Sequence, residues 1–362
     1  MAFTPGDFTP SLFGAMVIKE SELLATPRAM NELSRDIIAG QAILQNQDPS
    51  IITVGSGVDC MNASIFTTRS GSMDKGNKTV ACEVSTGAEA GTEKIDLTKE
   101  VLTNVERFVI NDDMCANAES FASLYAYSML KAKVNLEVKL SKALVALANT
   151  NIDTPVAGWF ETEGSVVSDV YEVATANFQS GDLIADLLWG AKSSYMIDPI
   201  LINGRNFFNN AIKQQYESAG CCTNDAVLNS DNIFQIYWDS QNVDSVTTKK
   251  SSFLIDRNAL LFWSSAGYSN LGMETALTIG KEANDHFHYV DTLPRLKYFA
   301  NGALQPIFVD VRFSWGCLKE AGHIVPRNTW KVEAFLCGAM TPNLPNSDGY
   351  TGIIRVDQVV GP

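Results

Sequence analysis

Between Asn117 and Asn149 the chain has neither glycine nor proline, and its apolar or small residues fall at Phe121, Tyr125, Met129, Ala132, Leu136, Leu140, Ala143 and Leu147. Steps of three and four match the period of an α-helix, so the spacing predicts one helix over this whole stretch. At 1.5 Å per residue such a helix spans roughly 50 Å, well beyond the usual three turns. Its lysines, Lys131, Lys133, Lys139 and Lys142, outnumber its acids.

The segments before it have a different texture. Residues up to about Phe13 are punctuated by proline and glycine and read as an extended arm. Ser21–Gln45 carries a helical pattern, with Pro27 in an early turn. From Gly55 to Lys99 there are six glycines, many Ser and Thr, and charges of both signs. Strand-like pieces at Ser64–Thr68, Thr79–Ser85, Glu93–Thr98 and Val101–Asn111 make this a long polar two-stranded excursion. A hairpin of that kind is marginal alone and needs another surface to lie on.

After the long helix, 150–305 mixes short elements. Helices are expected at Val166–Phe178 and Asn206–Ser218. Strands are expected at Pro199–Asn203, Ile233–Trp238, Ser252–Asp256 and His286–Val290. The tail alternates strands and turns: Pro306–Gly316, Trp330–Gly338 and Gly352–Val359. A hydrophobic fraction of 46% against 19% charged residues places the chain among folded globular proteins. Its net charge is −14, and 150–305 holds 18 acids against 9 bases, which argues against a general nucleic-acid-binding surface. No apolar run reaches the 18 or so residues of a spanning helix. The first basic residue is Lys19, so no secretory leader is expected. Seven scattered cysteines without CxxC spacing suggest reduced thiols rather than a disulfide frame or zinc knuckle.

The order of these pieces resembles the major capsid proteins of tailed bacteriophages, the Hong Kong 97-type fold. The strand-to-helix phrase Leu201-Ile-Asn-Gly-Arg-Asn-Phe-Phe-Asn-Asn-Ala-Ile and the late PIFVDVRFSWGC strand, Pro306–Cys317, look like pieces of such proteins. The resemblance implies an α+β chain: N-terminal arm and first helix at 1–54, extended two-stranded loop at 55–111, and spine helix of the peripheral domain at 112–154. An α/β axial domain at 155–305 follows, then returning peripheral strands and the C-terminus at 306–362. It implies a non-enzymatic subunit, without catalytic residues or cofactor, that assembles in the host cytoplasm into pentamers and hexamers of a virion capsid. Portal and scaffolding proteins are the implied partners. Double-stranded DNA would be enclosed without sequence-specific binding, and no membrane is involved. Glycine hinges at Gly55/Gly57 and Gly87/Gly91 would let one chain meet neighbours in slightly different ways. Expected subunit contacts are Gly71, Lys75 and Lys78 near the loop tip and Phe3 and Phe8 in the arm. Lys75 or Lys78 with Asn343 or Asn346 are candidates for the lysine–asparagine crosslink of some family members, weighed against ordinary solvated lysines. An encapsulin-like nanocompartment shell is the nearest rival.

The rival from another class is a small metal-dependent enzyme built on His286-Phe-His288. Two residues apart on a strand share a face, and such a pair can ligate zinc or iron with His323, Asp285 or Asp291 as third ligand. Against it stands the plain reading of two polar strand residues at a subdomain edge. Asp112-Asp113 read as capping acids before the helix, Cys221-Cys222 as inert thiols, and Gly55-Ser-Gly57 as a corner that lacks the Lys-Ser/Thr of a phosphate loop.

Overall fold

The computed structural model describes residues 40, 43–44, 53–54, 63–68, 92–96, 99–109, 118–155, 160, 163–179, 183–194, 196, 198–205, 235–247, 250–256, 259–264, 280–282, 286–300, 303–315, 319–320, 323–324, 329–342 and 351–359. The fold is mixed helix and strand. Chain order begins β1 (Thr53–Val54), β2 (Ala63–Thr68), β3 (Thr92–Asp96) and β4 (Lys99–Val109), followed by the long helix α1 (Ala118–Thr150). Next come β5 (Gly164–Val167), β6 (Val170–Ala174), a 3₁₀ turn (Asn177–Gln179), α2 (Leu183–Ser193), β7 (Ile200–Asn203) and β8 (Gln235–Trp238). Then α3 (Ser240–Val246), β9 (Lys250–Ile255), β10 (Leu260–Ser264), β11 (Gly280–Glu282), β12 (His286–Ala300) and β13 (Ala303–Trp315) follow. The order closes with β14 (Lys319–Glu320), β15 (His323–Ile324), β16 (Thr329–Pro342) and β17 (Ile353–Val359).

Helix α1 forms where the glycine-free stretch predicts it, and it is buried on more than one side. Tyr125, Met129, Ala132, Leu136 and Leu140 of the expected stripe are all buried, whereas Ala143 and Leu147 are half-covered. A second row, Ala126, Leu130, Val134 and Leu144, is buried as well. Among the described side chains of α1, Tyr127, Lys139, Lys142 and Thr150 are exposed. A helix covered this fully draws its stability from tertiary packing rather than from propensity.

Two sheets supply the cover. The first is antiparallel throughout. β4 runs along one side of β16 from Thr329↔Val109 to Ala339↔Lys99. The other side of β16 is shared between β13 (Asp310↔Phe335 to Trp315↔Trp330) and β10 (Leu260↔Pro342 to Ser264↔Gly338). β12 pairs with β13 and β11 with β12. Val309, Val311, Val332, Ala334 and Leu336 alternate along their strands and join the α1 residues in one core.

The second sheet has the order β5-β6-β17-β9-β7-β8, with β6/β17 and β7/β8 parallel and the remaining pairs antiparallel. Its strands β7 and β9 are buried on both faces, so they carry continuous apolar runs, whereas β5 and β6 are buried on one face at most. Leu201, Leu254, Ile354 and Val356 pack with Leu183, Leu187 and Ala191 of α2. Their alternates Ile200, Ile202, Phe253, Ile255 and Ile353 pack with α1 and with Val243 of α3. Separate from both, β1, β2 and β3 form a small antiparallel sheet, and only residues 97 and 98 part β3 from β4.

Four expectations change. Val166–Phe178 is not helical: β5 and β6 form a hairpin turned at Ser168 and Asp169, both at positive φ (47° and 67°). β-Branched valines on either side of a Ser-Asp pair favour a two-residue hairpin, and this outweighs the helical spacing. Residues 99–109, read as part of the extended loop, instead form a strand on β16 of their own chain. The division at 305 cuts through the β12–β13 hairpin: β12 runs ten residues past Val290 and belongs to the sheet of β13. The last strand, β17, lies in the other sheet, between β6 and β9. The expected arm, the helices at Ser21–Gln45 and Asn206–Ser218, the strand at Thr79–Ser85, the glycine hinges and Asp112-Asp113 lie outside the described residues, Gly40, Ile43 and Leu44 apart.

Gly190 of α2 shows how closely the second sheet's core is fitted. A Cβ there would fall 1.9 Å from Phe160 Cε1, and Phe160 itself packs on Tyr171 with ring centroids 5.4 Å apart. Gly190→Ala is expected to lower subunit stability by about 1–3 kcal/mol, the usual range for an overpacked core. Combined with Phe160→Leu, it should cost less than the two single losses added together, as read by chemical denaturation.

Candidate functional site

The feature with most structural consequence is the set of polar contacts that fixes α1 against everything around it. Between Thr292 and Lys297 the β12–β13 register slips, because Leu293-Pro294-Arg295-Leu296 bulge out of the ladder. Leu293 and Leu296 enter the core, which leaves amides of the bulge without a partner strand. Glu137, fully buried on α1, supplies the acceptors. Its Oε1 accepts from the backbone N–H of Arg295 (2.7 Å) and of Leu296 (2.9 Å), and its Oε2 from Arg295 Nε (3.1 Å). One turn earlier, buried Lys133 donates to Asp291 Oδ2 at 2.8 Å. Glu106 of β4 accepts from Lys131 Nζ at 2.8 Å and from Asn135 Nδ2 at 3.1 Å. Ser141 Oγ accepts from the N–H of Gly40 and from Asn242 Nδ2, each at 3.0 Å, and so ties three separate segments.

The far end of α1 is held by the chain's last strand. Asp153 accepts from the N–H groups of Thr351 (2.7 Å), Gly352 (2.6 Å) and Ile353 (3.2 Å). Gly352 sits at φ +79°, which side-chain-bearing residues rarely adopt. Arg355 donates to Asn149 of α1 at 2.9 Å and grips Asp357 through two bonds of 2.8 Å. In the α2 core the Tyr171 hydroxyl donates to Asp186. Burial first, and then the neighbouring carboxylate, pushes that phenol well above its ordinary value.

Chemically this is a clamp. The buried carboxylates of Glu137 and Asp153 accept backbone amides. Among the described residues no group of three His, Cys, Asp or Glu side chains is arranged to hold a metal ion. His286 and His288 lie on β12, opposite Ser314 and Arg312 of β13, and His323 lies on the separate β14–β15 hairpin opposite Glu320. Asp291, one proposed third ligand, is engaged by Lys133 instead. Asp285 and the expected contact residues Gly71, Lys75, Lys78, Phe3 and Phe8 lie outside the described residues.

The sequence reading missed Lys133, Glu137 and Ser141, charged or polar residues spaced by four on one helix face, which propensity treats as solvated. It also missed the surface apolar residues. Trp189 on α2 is 64% exposed and Leu304, beside the β12–β13 turn, is 65% exposed; Val167, Tyr127 and Val105 are exposed to a lesser degree. Isolated exposed aliphatics are ordinary, whereas an exposed tryptophan on a helix is a candidate contact anchor. Among the described residues no helix is long and apolar enough to cross a membrane.

No protein-family model matches the chain, and no curated protein matches it in sequence. Among solved structures, the capsid structure of the cyanophage P-SCSP1u is similar over 98% of this chain and 100% of its own length, at 10% identity and a TM-score of 0.46. A structure from Mycobacterium phage Adephagia is similar over 93% of this chain and 95% of its own, at 9% identity and a TM-score of 0.46. The virus-like particle from Pyrococcus furiosus is similar over 97% of this chain and 100% of its own, at 9% identity and a TM-score of 0.41.

Glu137 generates a pH prediction. Burial outweighs its hydrogen bonds and raises its carboxyl above the ordinary value. The native state then binds that proton more tightly than the unfolded state does. Its contribution is greatest below the ordinary carboxylate value and is lost as pH rises through the raised one. The wild-type margin over Glu137→Gln should therefore widen between about pH 7 and about pH 5, measured by denaturant unfolding of the subunit. Glu137→Ala, which strands Arg295 and two amides, should cost about 3–5 kcal/mol at neutral pH.

Proposed function

We propose that this chain is the major capsid protein of a tailed bacteriophage, a non-enzymatic subunit that tiles with copies of itself into an icosahedral shell around double-stranded DNA. The observation that carries this reading is the arrangement on α1. One helix of 33 residues braces two sheets, while β1–β3 form a small sheet that, among the described residues, shares no strand pairing with either. Strands of two, six and five residues are too short for independent stability, so the ribbon gains by lying across another copy.

In this reading α1 is the spine and the sheet of β4, β10–β13 and β16 is the peripheral domain. The six-stranded sheet with α2 and α3 is the axial domain, and residues 55–98 are the extended loop. The axial sheet then takes its central strand, β17, from the end of the chain. Trp189 on α2 is the capsomer-centre contact, and Leu304 at the β12–β13 turn is a lattice contact between capsomers. Gly71, Lys75 and Lys78 on the loop and Phe3 and Phe8 on the arm contact adjoining subunits. Pentamers and hexamers need the same surface to recur by rotation, and many modest contacts per subunit make the closed shell cooperative. Portal and scaffolding proteins are its partners, and assembly takes place in the host cytoplasm. A chain of net charge −14 contains DNA without a counterion-releasing grip on it.

Deleting Gly71–Lys78 should leave a folded subunit, judged by circular dichroism and a cooperative melt, that yields no stable shells in electron micrographs of the overexpressed protein. Normal particles from that deletion would remove the loop from the mechanism. Trp189→Glu should likewise keep the fold and abolish capsomers in sedimentation, because a charge placed in a desolvated contact is not compensated there.

A further inference from the structure

Gly40 meets the body of the subunit at a seat that is assembled by contacts in which Gly40 takes no part. The Leu44 N–H donates to the Gly40 carbonyl at 3.0 Å, which closes one helical turn. That turn lies against α1, where the Gly40 N–H donates to Ser141 Oγ at 3.0 Å. A Cβ on Gly40 would stand 3.2 Å from Ser141 Cβ and 3.3 Å from Leu296 Cδ2, so a glycine alone fits without a shift. Ile43 and Leu44 of the same turn are buried in one core with Leu136, Leu140 and Leu296. Three elements build the seat, and each is held independently of the turn. Ser141 Oγ also accepts from Asn242 Nδ2 of α3 at 3.0 Å. Asn242 is fixed in turn by Asp239, to which its N–H and its Nδ2 donate at 3.0 Å and 2.8 Å. Leu296 is placed by the amide that it donates to Glu137 at 2.9 Å.

We propose that this seat is a socket for a Gly-x-x-Ile-Leu helical turn, and that a second copy of the chain supplies the turn. Two observations favour exchange over a permanent internal contact. Withdrawing the turn strands no polar group of the socket: Ser141 Oγ keeps Asn242, and the Gly40 amide passes to water. What withdrawal uncovers is apolar surface shaped for a glycine and two aliphatic side chains, and an identical turn covers it equally well. Exchange of an identical element between copies conserves every contact, which makes it a low-cost route to association. Residues 45–98 separate the turn from β4, the next described strand that pairs with the main sheet. At about 3.3 Å per extended residue, even part of that length reaches an adjoining copy. The inference rests on the shell reading for the self-association that brings two copies together.

The test uses the full-length protein in two isotopic forms, one of which carries a photo-reactive residue at position 41, mixed before assembly and then irradiated. The expected result, read by mass spectrometry, is a crosslink from position 41 of one isotopic form to the α1 peptide of the other. Crosslinks confined to a single isotopic form would overturn the exchange. Shells in electron micrographs together with such same-form crosslinks would leave the shell reading standing, whereas unlike-form crosslinks without shells would do the reverse. A second measurement vacates the socket by Gly40→Val, or by Leu44→Asp, which alters no socket residue, and adds a fluorescent peptide of residues 34–47. One peptide per chain should bind, and the same peptide carrying Gly40→Val should bind about tenfold more weakly or worse. Equal binding of the two peptides, or none to either cooperatively melting variant, would overturn the socket. Loss of cooperative melting in both variants would show the turn to be integral to the core and overturn it as well.

Discussion

A buried carboxylate accepting the amides of a strand bulge is the contact on which the rest of this architecture leans. Without Glu137, β12 could not leave its ladder at Leu293–Leu296 and still satisfy its backbone, because amides shut away from water must find an acceptor. Without the bulge, Leu293 and Leu296 could not both enter the core beside α1. Helix and strand therefore specify each other. Lys133 with Asp291 and Glu106 with Lys131 and Asn135 extend the same logic to either side of the helix. Apolar packing alone would permit α1 to slide or rotate by a residue. Directional charge-assisted bonds at fixed four-residue intervals do not.

The same helix is fixed at its C-terminal end by the strand Ile353–Val359 and the residues just before it. Asp153 and Asn149 both engage the strand that begins at Thr351, and that strand is central in the second sheet, not at its edge. Sheet and helix are consequently closed by one strand, β17. Burial raises the Asp153 carboxyl as it raises Glu137, so the middle of α1 and its C-terminal end are both held by carboxyls kept out of water. Such contacts are costly in desolvation and contribute geometry more than net stability.

How much of this was legible in the sequence follows from what kind of signal each part leaves. The long helix was plain because its period persists over 33 residues without a breaker. The strands at 200–203, 250–255, 303–315, 329–342 and 353–359 were found within a few residues, since β-branched runs bounded by turn residues mark them. Strand partnership was not legible. Nothing local in Ile353–Val359 says that it sits between β6 and β9, and nothing in Lys99–Val109 distinguishes a strand of the loop from the edge of the main sheet. Register depends on partners from 98 to 240 positions away. The β5–β6 hairpin was misread because valines at 166, 167, 170 and 173 fit a helical face as well as a strand, and only the Ser168-Asp169 turn decides between them. The clamp residues were invisible for a different reason: a lysine and a glutamate four apart look like a solvated helix pair until the strand facing them is known.

On the proposed shell reading, a subunit that tiles has two opposed requirements, and this chain would separate them in space. The part that must present identical surfaces in every copy is tied together by buried, directional contacts from α1 to both sheets. The part proposed to reach neighbours is a ribbon of short strands, attached through the two residues that join β3 to β4. β4 is where the two meet: an 11-residue strand paired with β16 along its whole length, gripped by α1 through Glu106, and exposing Val105 on the other face. Any force that the ribbon transmits from a neighbour enters the body through that strand. It then reaches the helix through Lys131 and Asn135. An edge so firmly held can carry load without unzipping, because eleven ladder pairs and a buried helix contact would have to fail together. The anchoring of β4, rather than the length of the ribbon, is thus what makes an excursion of this kind mechanically useful to a shell.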